Sequence, residues 1–427
     1  MKRVKVALVG CGTVGSAFVH LFLRQRDEIA RIYGIQLELA HIYTRTPAGN
    51  KSLDIYKKYP ELIVNSLDEI LSDPEVEIVV EAVGGTDFAK DVFTKSFLAH
   101  KHVVTANKAL LNECWQELFG LAKDQKVSIG YEASVAGGVP IIRVIRESFP
   151  GNQITEIVGV LNGTTNFILS EMGHKAGSLA KVLKKAQRLG YAEADPSDDL
   201  SGADARNKLS ILMRAAYGLK FDPKSIYMQG IEDIILEDFE YADKKLDASI
   251  RLIAYCDSRG AAFICPMFVS KGDLLASIPK QLNGIKLSAL SFQELSFIGP
   301  GAGGKETATA ILADVVGIAK GTLINHELDR VSKTQLRDFG ELTFQHTLRF
   351  VVNDRPGIIR DISTILAEEG ISIQAVEQND YPESKSRELP FLITLHAAEE
   401  GRVQKALRRM NKMPFLVKPI MIFRSFV

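Results

Sequence analysis

The chain has 427 residues, of which 46% are hydrophobic and 24% are charged, a composition typical of a soluble globular protein with two or three domains. Lys and Arg together number 52, as do Asp and Glu, so no net charge favours nucleic acid or an anionic membrane as a partner. The four cysteines form no C-x-x-C pair, no stretch is long and apolar enough to span a membrane, and no apolar signal-peptide core follows Met1. We therefore expect a cytoplasmic protein with reduced cysteines.

The N-terminal segment VKVALVGCGTVGSAFVHLFL predicts a buried strand that enters a helix through a glycine-rich turn. A G-x-G-x-x-G turn in this context lets a pyrophosphate approach backbone amides at the helix N-terminus. The residues predicted to bind a dinucleotide there are Gly10, Gly12, Thr13, Val14 and Gly15.

The second strand, about residues 36–43, is followed by Arg45 and not by an acidic residue. An arginine at this place suits a 2'-phosphate, which favours NADP over NAD as the cofactor. Arg45 is equally compatible with a solvated loop charge, so NAD remains open.

Further strand patterns, namely LIVN, VEIVVEAVGG, HVVTANK and KVSIGYE, alternate with helical ones, which predicts an α/β fold with a parallel, doubly wound sheet. Ligands of such sheets gather at the carboxyl ends of the strands, so Gly84 and Thr105 should border the cofactor. Lys108 follows the same edge and either points toward the nicotinamide or is a solvated loop residue. The next segment, ASVAGGVPIIRVI, predicts an irregular turn whose carbonyl oxygens serve a hard cation or bond to water, and the residues alone favour water.

The segment QITEIVGVLNGTTNFIL predicts a strand, a polar turn and a helix start, in which Gly163 and Thr164 belong to a helix cap, a ligand contact or both. Residues 189–208, LGYAEADPSDDLSGADARNK, then group acidic side chains with Lys208. We predict a loop followed by a helix, with Asp198 or Asp199 as its cap.

Asp204 and Lys208 are four residues apart and so share one face of that helix. The pair is either an exposed ion pair of little consequence or a charged lysine held in place to grip a polar substrate and move its proton.

Beyond this helix, AAFICPMFVS and KLSALSFQELSFIG predict a sheet-based substrate domain. The segment GPGAGGKETATAILADVVGIA predicts a glycine turn and a helix that returns to the first domain. The C-terminal part reads strand, helix, strand, strand, helix, strand, which is the split βαβ pattern.

The motifs GCGTVG, TANK, YEASVAGGVP, GVLNGTTNFIL, GYAEADPSDDLSGADARNK and GPGAGGKETATAILAD are together specific, and with them nearly the whole chain resembles the homoserine dehydrogenase family in its longer form, which ends in an ACT domain. The resemblance implies a Rossmann-type dinucleotide-binding domain at 1–131, an α+β substrate-binding and dimerisation domain at 132–325, a linker at 326–345 and a ferredoxin-like ACT domain at 346–427. It also implies reversible NAD(P)-dependent interconversion of L-homoserine and L-aspartate 4-semialdehyde, on the route to threonine, methionine and isoleucine, by a homodimer or homotetramer.

The resemblance assigns roles by position. Lys208 matches the proton-transferring lysine, Asp204 the aspartate beside it, and Lys108 a second lysine between cofactor and substrate. Glu193 matches the carboxylate that binds the substrate ammonium group. Further matches are the substrate-pocket positions Tyr191, Asp198, Gly163 and Thr164, the cofactor contact Gly303, and the oxygens of a monovalent cation site, sodium in type, at Glu132, Val135, Gly137 and Val139. For that loop the resemblance favours the cation over water.

Two other functions would require different residues. An aldehyde-oxidising dehydrogenase would need a nucleophilic cysteine, but Cys114 and Cys256 lie in predicted helices and Cys265 in a predicted strand, none beside a matched motif. A catalytically inactive nucleotide or amino-acid sensor would not need Lys208. The ACT-like segment, whose residues 353–357 open a helix, predicts either an effector site, for which L-threonine is the candidate, or a dimerisation module without a ligand.

Overall fold

The computed structural model of the chain describes residues 1–44, 49–149, 151–174, 177–323, 325, 335–378 and 388–426. It divides the chain into two compact units. The first comprises Met1–Thr155, Asn207–Pro223 and Leu287–Lys333, and the second Glu156–Arg206, Lys224–Lys286 and Thr334–Val427. Within the described ranges, no helix combines the length and the apolar character needed to cross a membrane.

The N-terminal part of the chain alternates strands and helices. In chain order the elements are β1 (Lys2–Val9), α1 (Thr13–Tyr33), β2 (Ile35–Tyr43), α2 (Gly49–Lys58), α3 (Leu67–Ser72), β3 (Val76–Glu81), α4 (Asp87–Leu98), β4 (His102–Thr105), α5 (Lys108–Asp124), β5 (Ile129–Gly130) and α6 (Ile141–Arg143). The strands form a five-stranded parallel sheet in the order β2-β1-β3-β4-β5, which confirms the predicted Rossmann-type, doubly wound architecture. Strand β2 lies on one side of β1 and β3 lies on the other, so the order in which strands are added reverses here. Ligands of such sheets bind at the carboxyl ends of the strands next to this reversal.

The segment LIVN was predicted to be a strand, and that prediction is wrong. Pro60 begins a 3-10 turn that ends at Leu62, and Ile63 makes one isolated bridge to Ile42. Pro60 has no amide hydrogen and a fixed φ, so it favours the turn and leaves too short a segment for a ladder of strand hydrogen bonds.

The middle of the chain contributes both helices and long strands. They are β6 (Ile154–Val160), α7 (Gly163–Gly173), α8 (Leu179–Arg188), α9 (Ser197–Ser201), α10 (Ala203–Tyr217), β7 (Tyr227–Met228), α11 (Leu236–Leu246), β8 (Ala248–Asp257), β9 (Ala262–Ser270), β10 (Leu282–Ala289), β11 (Phe292–Pro300) and α12 (Gly304–Ala319). Helix α12 shares the core of the first unit with α1 and the parallel sheet, through wholly buried residues such as Ile311 and Val315.

Two local predictions fail in this region. Asp198 and Asp199 do not cap the lysine-bearing helix, because they lie in the first turn of the separate helix α9, which ends at Gly202 in a left-handed conformation. Cys256 lies in β8 and not in a helix. Strand β8 is buried on both faces, so its apolar run has no alternation that would distinguish it from a helix.

The C-terminal part has the predicted order of elements with one short strand added. They are β12 (Thr343–Asn353), α13 (Ile358–Glu368), β13 (Ile373–Glu377), β14 (Glu388–Leu395), β15 (Ala398–Glu399), α14 (Glu400–Met410) and β16 (Met421–Ser425). The four longer strands lie in the order β16-β12-β14-β13, and one face packs on α13 and α14 in a single hydrophobic core. Strand β16 also pairs in parallel with β9, so within the second unit this sheet is continuous with the strands of the predicted substrate domain.

Candidate active site

The loop between β1 and α1 has the geometry of a dinucleotide-binding turn. Gly10 has a φ of +101°, and a Cβ on it would lie 2.5 Å from the Ala82 carbonyl oxygen. A Cβ on Gly15 would lie 2.0 Å from the Gly10 carbonyl oxygen, so both positions require glycine. A Cβ on Gly12, by contrast, would meet no described atom within 4 Å. The amides that open α1, beginning with Thr13, therefore have the open surroundings that a pyrophosphate needs.

A buried carboxylate organises the adjoining ends of β3 and β4. Glu81, the last residue of β3, is wholly buried and accepts hydrogen bonds from the Thr105 hydroxyl at 2.5 Å and the Val83 amide at 2.8 Å. Burial raises the pKa of the Glu81 carboxyl above its usual range, and the hydrogen bond from Thr105 opposes that shift. Thr105, predicted to border the cofactor, is thus held by Glu81.

Asn107 continues this network to the start of α5. Its backbone amide donates to the Thr105 hydroxyl oxygen at 2.8 Å, and its side-chain amide donates to the Gly85 carbonyl at 2.7 Å. Its side-chain oxygen caps α5 by accepting from Leu110 at 3.1 Å. Lys108, the first residue of α5, is consequently attached to the same edge as the loop containing Gly84, which has a φ of +71°.

Gly303 lies beside the dinucleotide turn, whereas Arg45 lies outside the described residues. Gly303 precedes α12 with a φ of +133°, and a Cβ on its neighbour Gly304 would lie 3.2 Å from the Thr13 Cγ2 atom. The structure therefore brings together Gly10, Gly12, Thr13, Val14, Gly15 and Gly303, all of which were predicted to contact the cofactor.

Helix α10 carries Asp204 and Lys208 one turn apart on one face. Each is buried, with 8% of its surface exposed, so the alternative of an exposed ion pair does not hold. Asp204 accepts a hydrogen bond from the Asn162 side-chain amide at 2.9 Å, and the same amide group donates to Asp199 at 2.6 Å. The Asn162 side-chain oxygen accepts from the Thr165 amide at 2.7 Å and so caps α7.

The remaining predicted substrate residues fall into two groups. The Thr164 hydroxyl donates to the Tyr191 carbonyl at 2.6 Å, and a Cβ on Gly163 would lie 2.5 Å from the Gln281 carbonyl oxygen. These three predicted residues therefore lie together in the second unit. Glu193, in the loop after α8, and Asp198, in α9, are both exposed.

The loop predicted to hold a cation contains two buried acids. The Glu132 carboxylate accepts from the backbone amides of Ile142 at 2.9 Å and Arg143 at 2.7 Å, and the Glu132 amide donates to Asp314 at 2.9 Å. Burial, reinforced by the Asp314 carboxylate, raises the pKa of Glu132 to about 8, and burial raises the pKa of Asp314 to about 6. The Arg143 guanidinium donates to Asp314 at 3.2 Å, so Arg143 hydrogen-bonds both acids.

The donor set around Glu132 fits a monovalent cation bound mainly by backbone oxygens. Burial disfavours the ionised forms of both carboxyl groups, and a nearby cation would offset that penalty. Val135, Gly137 and Val139 follow in a buried loop that Ala136 turns with a φ of +46°. The described part of the chain holds no cluster of three or more His, Cys, Asp or Glu residues suited to a metal ion, so a cation here would depend on carbonyl oxygens.

The cysteines do not fit the alternative of an aldehyde-oxidising enzyme. All four are free and buried. Burial raises the pKa of the Cys114 thiol, and it raises that of Cys265 to about 12. A nucleophilic cysteine requires a lowered pKa and access to the substrate; all four thiols are buried, and the pKa values of Cys114 and Cys265 are raised, not lowered.

Glu81 and Asn112 are among the residues with central places in this geometry that were not predicted. Glu81 had a signal in the sequence, since a charged residue that ends the apolar run VEIVVE is unusual for a buried parallel strand. Asn112 in α5 had none, because its side chain donates to the Asn207 carbonyl oxygen, 95 residues further along the chain.

Comparison with known proteins matches this chain to one enzyme family over nearly its whole length. Residues 10–132 match the family model of the homoserine dehydrogenase NAD-binding domain, 140–316 that of homoserine dehydrogenase, and 346–415 that of the ACT domain. The homoserine dehydrogenase of Neisseria gonorrhoeae is 33% identical, over 99% of both chains. A homoserine dehydrogenase structure from Thiobacillus denitrificans has a TM-score of 0.89 at 32% identity, covering 99% of this chain and 98% of that one.

A hyperthermophilic archaeal homoserine dehydrogenase in complex with NADPH has a TM-score of 0.64 at 27% identity, covering 76% of this chain and 99% of that one. The family models, the full-length relative and the parallel sheet with its glycine turn agree. The chain therefore belongs to the homoserine dehydrogenase family of oxidoreductases, with a C-terminal ACT domain.

Proposed function

We propose that this chain interconverts L-homoserine and L-aspartate 4-semialdehyde reversibly, using NADP in preference to NAD, in the biosynthesis of threonine, methionine and isoleucine. The observation that carries the proposal is the buried Lys208, one helical turn from the buried Asp204. Asp204 is itself held by Asn162, so the carboxylate beside the lysine has a defined place. A catalytically inactive sensor would not need this arrangement.

The chemistry assigns Lys208 to proton transfer. Oxidation of homoserine removes the hydroxyl proton as a hydride leaves the same carbon, and reduction returns both. Lys208 takes the proton as a free amine during oxidation and gives it back as an ammonium during reduction. Lys108 stands between cofactor and substrate, and Glu193 binds the substrate ammonium group. The bound nicotinamide nucleotide supplies the acceptor or donor of the hydride.

We propose the substrate and cofactor contacts from the positions that match the family motifs. Gly163, Thr164, Tyr191 and Asp198 line the substrate pocket in this proposal. Gly10, Gly12, Thr13, Val14, Gly15, Gly84, Thr105, Lys108 and Gly303 hold the nucleotide. Arg45, which follows the second strand in the sequence, binds the 2'-phosphate of NADP in this proposal, and the archaeal relative in complex with NADPH supports that preference.

A monovalent cation, sodium in this proposal, binds oxygens of Glu132, Val135, Gly137 and Val139. The raised pKa values of Glu132 and Asp314 support it, because a bound cation would offset the cost of ionising these buried carboxyl groups. Its function in this proposal is to hold the loop that follows β5.

The ACT domain is proposed to bind L-threonine as an effector. Residues 353–357 are largely exposed, and the backbone amides that open α13 follow Gly357, which has no side chain to cap them. We also propose domain boundaries at 1–131, 132–325, 326–345 and 346–427, and assembly as a homodimer or homotetramer. A cytoplasmic location is proposed as well, and the four free cysteines support it.

The decisive experiment is Lys208→Ala. The rate of homoserine oxidation, followed by nucleotide absorbance, should fall by about 10² to 10⁴, because a general acid-base group is lost. Binding of NADP should change little, since the lysine acts on the substrate hydroxyl. Lys220→Ala removes an exposed lysine just after α10 and serves as the control. A near-normal kcat in Lys208→Ala would contradict the assignment.

A further inference from the structure

We propose that Asn112 is a positioning residue that sets the spacing between Lys108 and Lys208. Its side-chain nitrogen donates to the Lys108 carbonyl oxygen at 2.9 Å, one turn earlier in α5. The same nitrogen donates to the Asn207 carbonyl oxygen at 2.8 Å, in α10. Asn207 immediately precedes Lys208, so one amide group joins the backbone beside both lysines.

The chemistry of this bridge is specific to a primary amide. To bond both carbonyl oxygens at once, the side chain must donate two hydrogens from a single atom. Asparagine has two N–H groups on its side-chain nitrogen, whereas serine has one donor and leucine and aspartate have none. The Asn112 side-chain oxygen is buried and has no hydrogen-bond partner among the described residues. A buried oxygen without a hydrogen bond is unfavourable, so its presence needs an explanation. The two hydrogen bonds that the nitrogen of the same side chain donates provide one.

A second contact joins the same two helices further from the lysines. Arg214, buried near the end of α10, donates to the Leu111 carbonyl at 3.2 Å and to the Asn112 carbonyl at 3.3 Å. Its guanidinium also lies 5.3 Å from the centre of the Trp115 ring, on the same helix as Asn112. The packing of α5 on α10 therefore does not depend on Asn112 alone, whereas the Asn112 side chain bonds the backbone directly beside the two lysines.

The inference rests on the proposed function, because it assumes that Lys108 and Lys208 act on one substrate. Displacing reacting groups by about 1 Å can cost about 10²-fold in rate. A contact with only a structural role would lower stability without a selective effect on kcat. A positioning role would instead reduce kcat more than it changes KM, and only when both lysines are present.

The experiment is a double-mutant cycle between Asn112→Ala and Lys108→Ala. In the otherwise native enzyme, Asn112→Ala should lower kcat by about 10-fold or more and change KM for NADP by less than about twofold. In the Lys108→Ala background the same change should lower kcat by less than about twofold, since there is no second lysine to position. Glu113→Ala alters the next, exposed residue of α5 and should leave kcat unchanged.

Trp115 is the chain's single tryptophan and reports whether α5 and α10 remain packed. Asn112→Ala should keep the native fluorescence emission. If the emission shifts, the cycle is repeated with Asn112→Ser, which keeps one donor and should show the same dependence on Lys108.

A kcat for Asn112→Ala equal to that of Glu113→Ala, or an equal loss in both backgrounds, would overturn the inference. Failure of the proposed function is a separate result, because then the unmodified enzyme itself would not oxidise homoserine.

Discussion

Replacing Glu400 with glutamine should destabilise the second unit by about 3 to 5 kcal/mol, the usual cost of breaking a buried ion pair. Glu400 and Arg424 are wholly buried and share two hydrogen bonds, at 2.6 and 2.8 Å. Arg424 also donates to Gln229 at 2.6 Å, and its guanidinium stays charged. Because β16 carries Arg424 and pairs with β9, the uncompensated charge would lie where the ACT strands join the substrate-domain strands.

The pH dependence of stability gives a second measure of the same pair. Burial alone would raise the pKa of Glu400, but hydrogen bonds from Arg424 and His346 lower it from 4.5 to about 2. A depressed carboxyl pKa stabilises the folded state fully above the unfolded value of 4.5, and this stabilisation is lost as the pH falls toward 2. The shift corresponds to about 3 kcal/mol, so the stabilities of native enzyme and Glu400→Gln should converge as the pH falls.

Urea unfolding followed by far-ultraviolet circular dichroism, between neutral pH and the acid range, tests both statements. Glu399→Gln is the matched control, because Glu399 is exposed and its only described ion pair, with Arg402 at 3.2 Å, lies on the surface. That change should alter the free energy of unfolding by less than about 0.5 kcal/mol. The reasoning is refuted if the two variants have the same urea midpoint at neutral pH, or if the difference between Glu400→Gln and native enzyme does not shrink in acid.

The remaining predictions concern the ligands. Arg45→Ala should raise KM for NADP far more than for NAD, because only NADP loses a charged partner, and equal effects would remove Arg45 from the 2'-phosphate site. Exchanging sodium for N-methylglucamine at constant ionic strength should lower the melting temperature, and Glu132→Gln should abolish that difference. A melting temperature of the native enzyme that does not change with sodium would refute the cation site. L-Threonine should inhibit the intact enzyme without competing with homoserine, through a coupling of about 1 to 3 kcal/mol, and Asp354→Ala should weaken its binding in calorimetry. Unchanged binding in that variant, or none to the native enzyme, would refute the site. The intact chain is used because β16 completes a sheet with β9, so removing the ACT domain would expose that strand.

The sequence determined the features that depend on neighbouring residues. The turn between β1 and α1 was predictable because a Cβ at Gly10 or Gly15 would collide with backbone, a steric requirement that follows from the turn itself. The parallel sheet followed from the alternation of apolar runs and helical patterns, and the position of Asp204 and Lys208 on one helical face followed from the period of the helix.

Predictions from local sequence patterns were wrong where a helix ended earlier than expected or where burial on both faces hid the period of a strand. Gly202 ends α9 before α10 begins, so the aspartates expected to cap one helix belong to another. Strand β8 is covered on both faces, and its continuous burial concealed its period, so Cys256 was placed in a helix.

Only the tertiary structure decided which polar groups meet inside the protein. Glu81 reaches Thr105, 24 residues away; Asn112 reaches Asn207, 95 away; and Gln229 reaches Arg424, 195 away. These contacts leave no periodic pattern in the sequence, because each joins elements that meet only when the chain has packed. Burial makes these contacts important for the stability of the fold, because a charge or amide removed from water is stable only when the rest of the fold supplies hydrogen-bonding or charged partners.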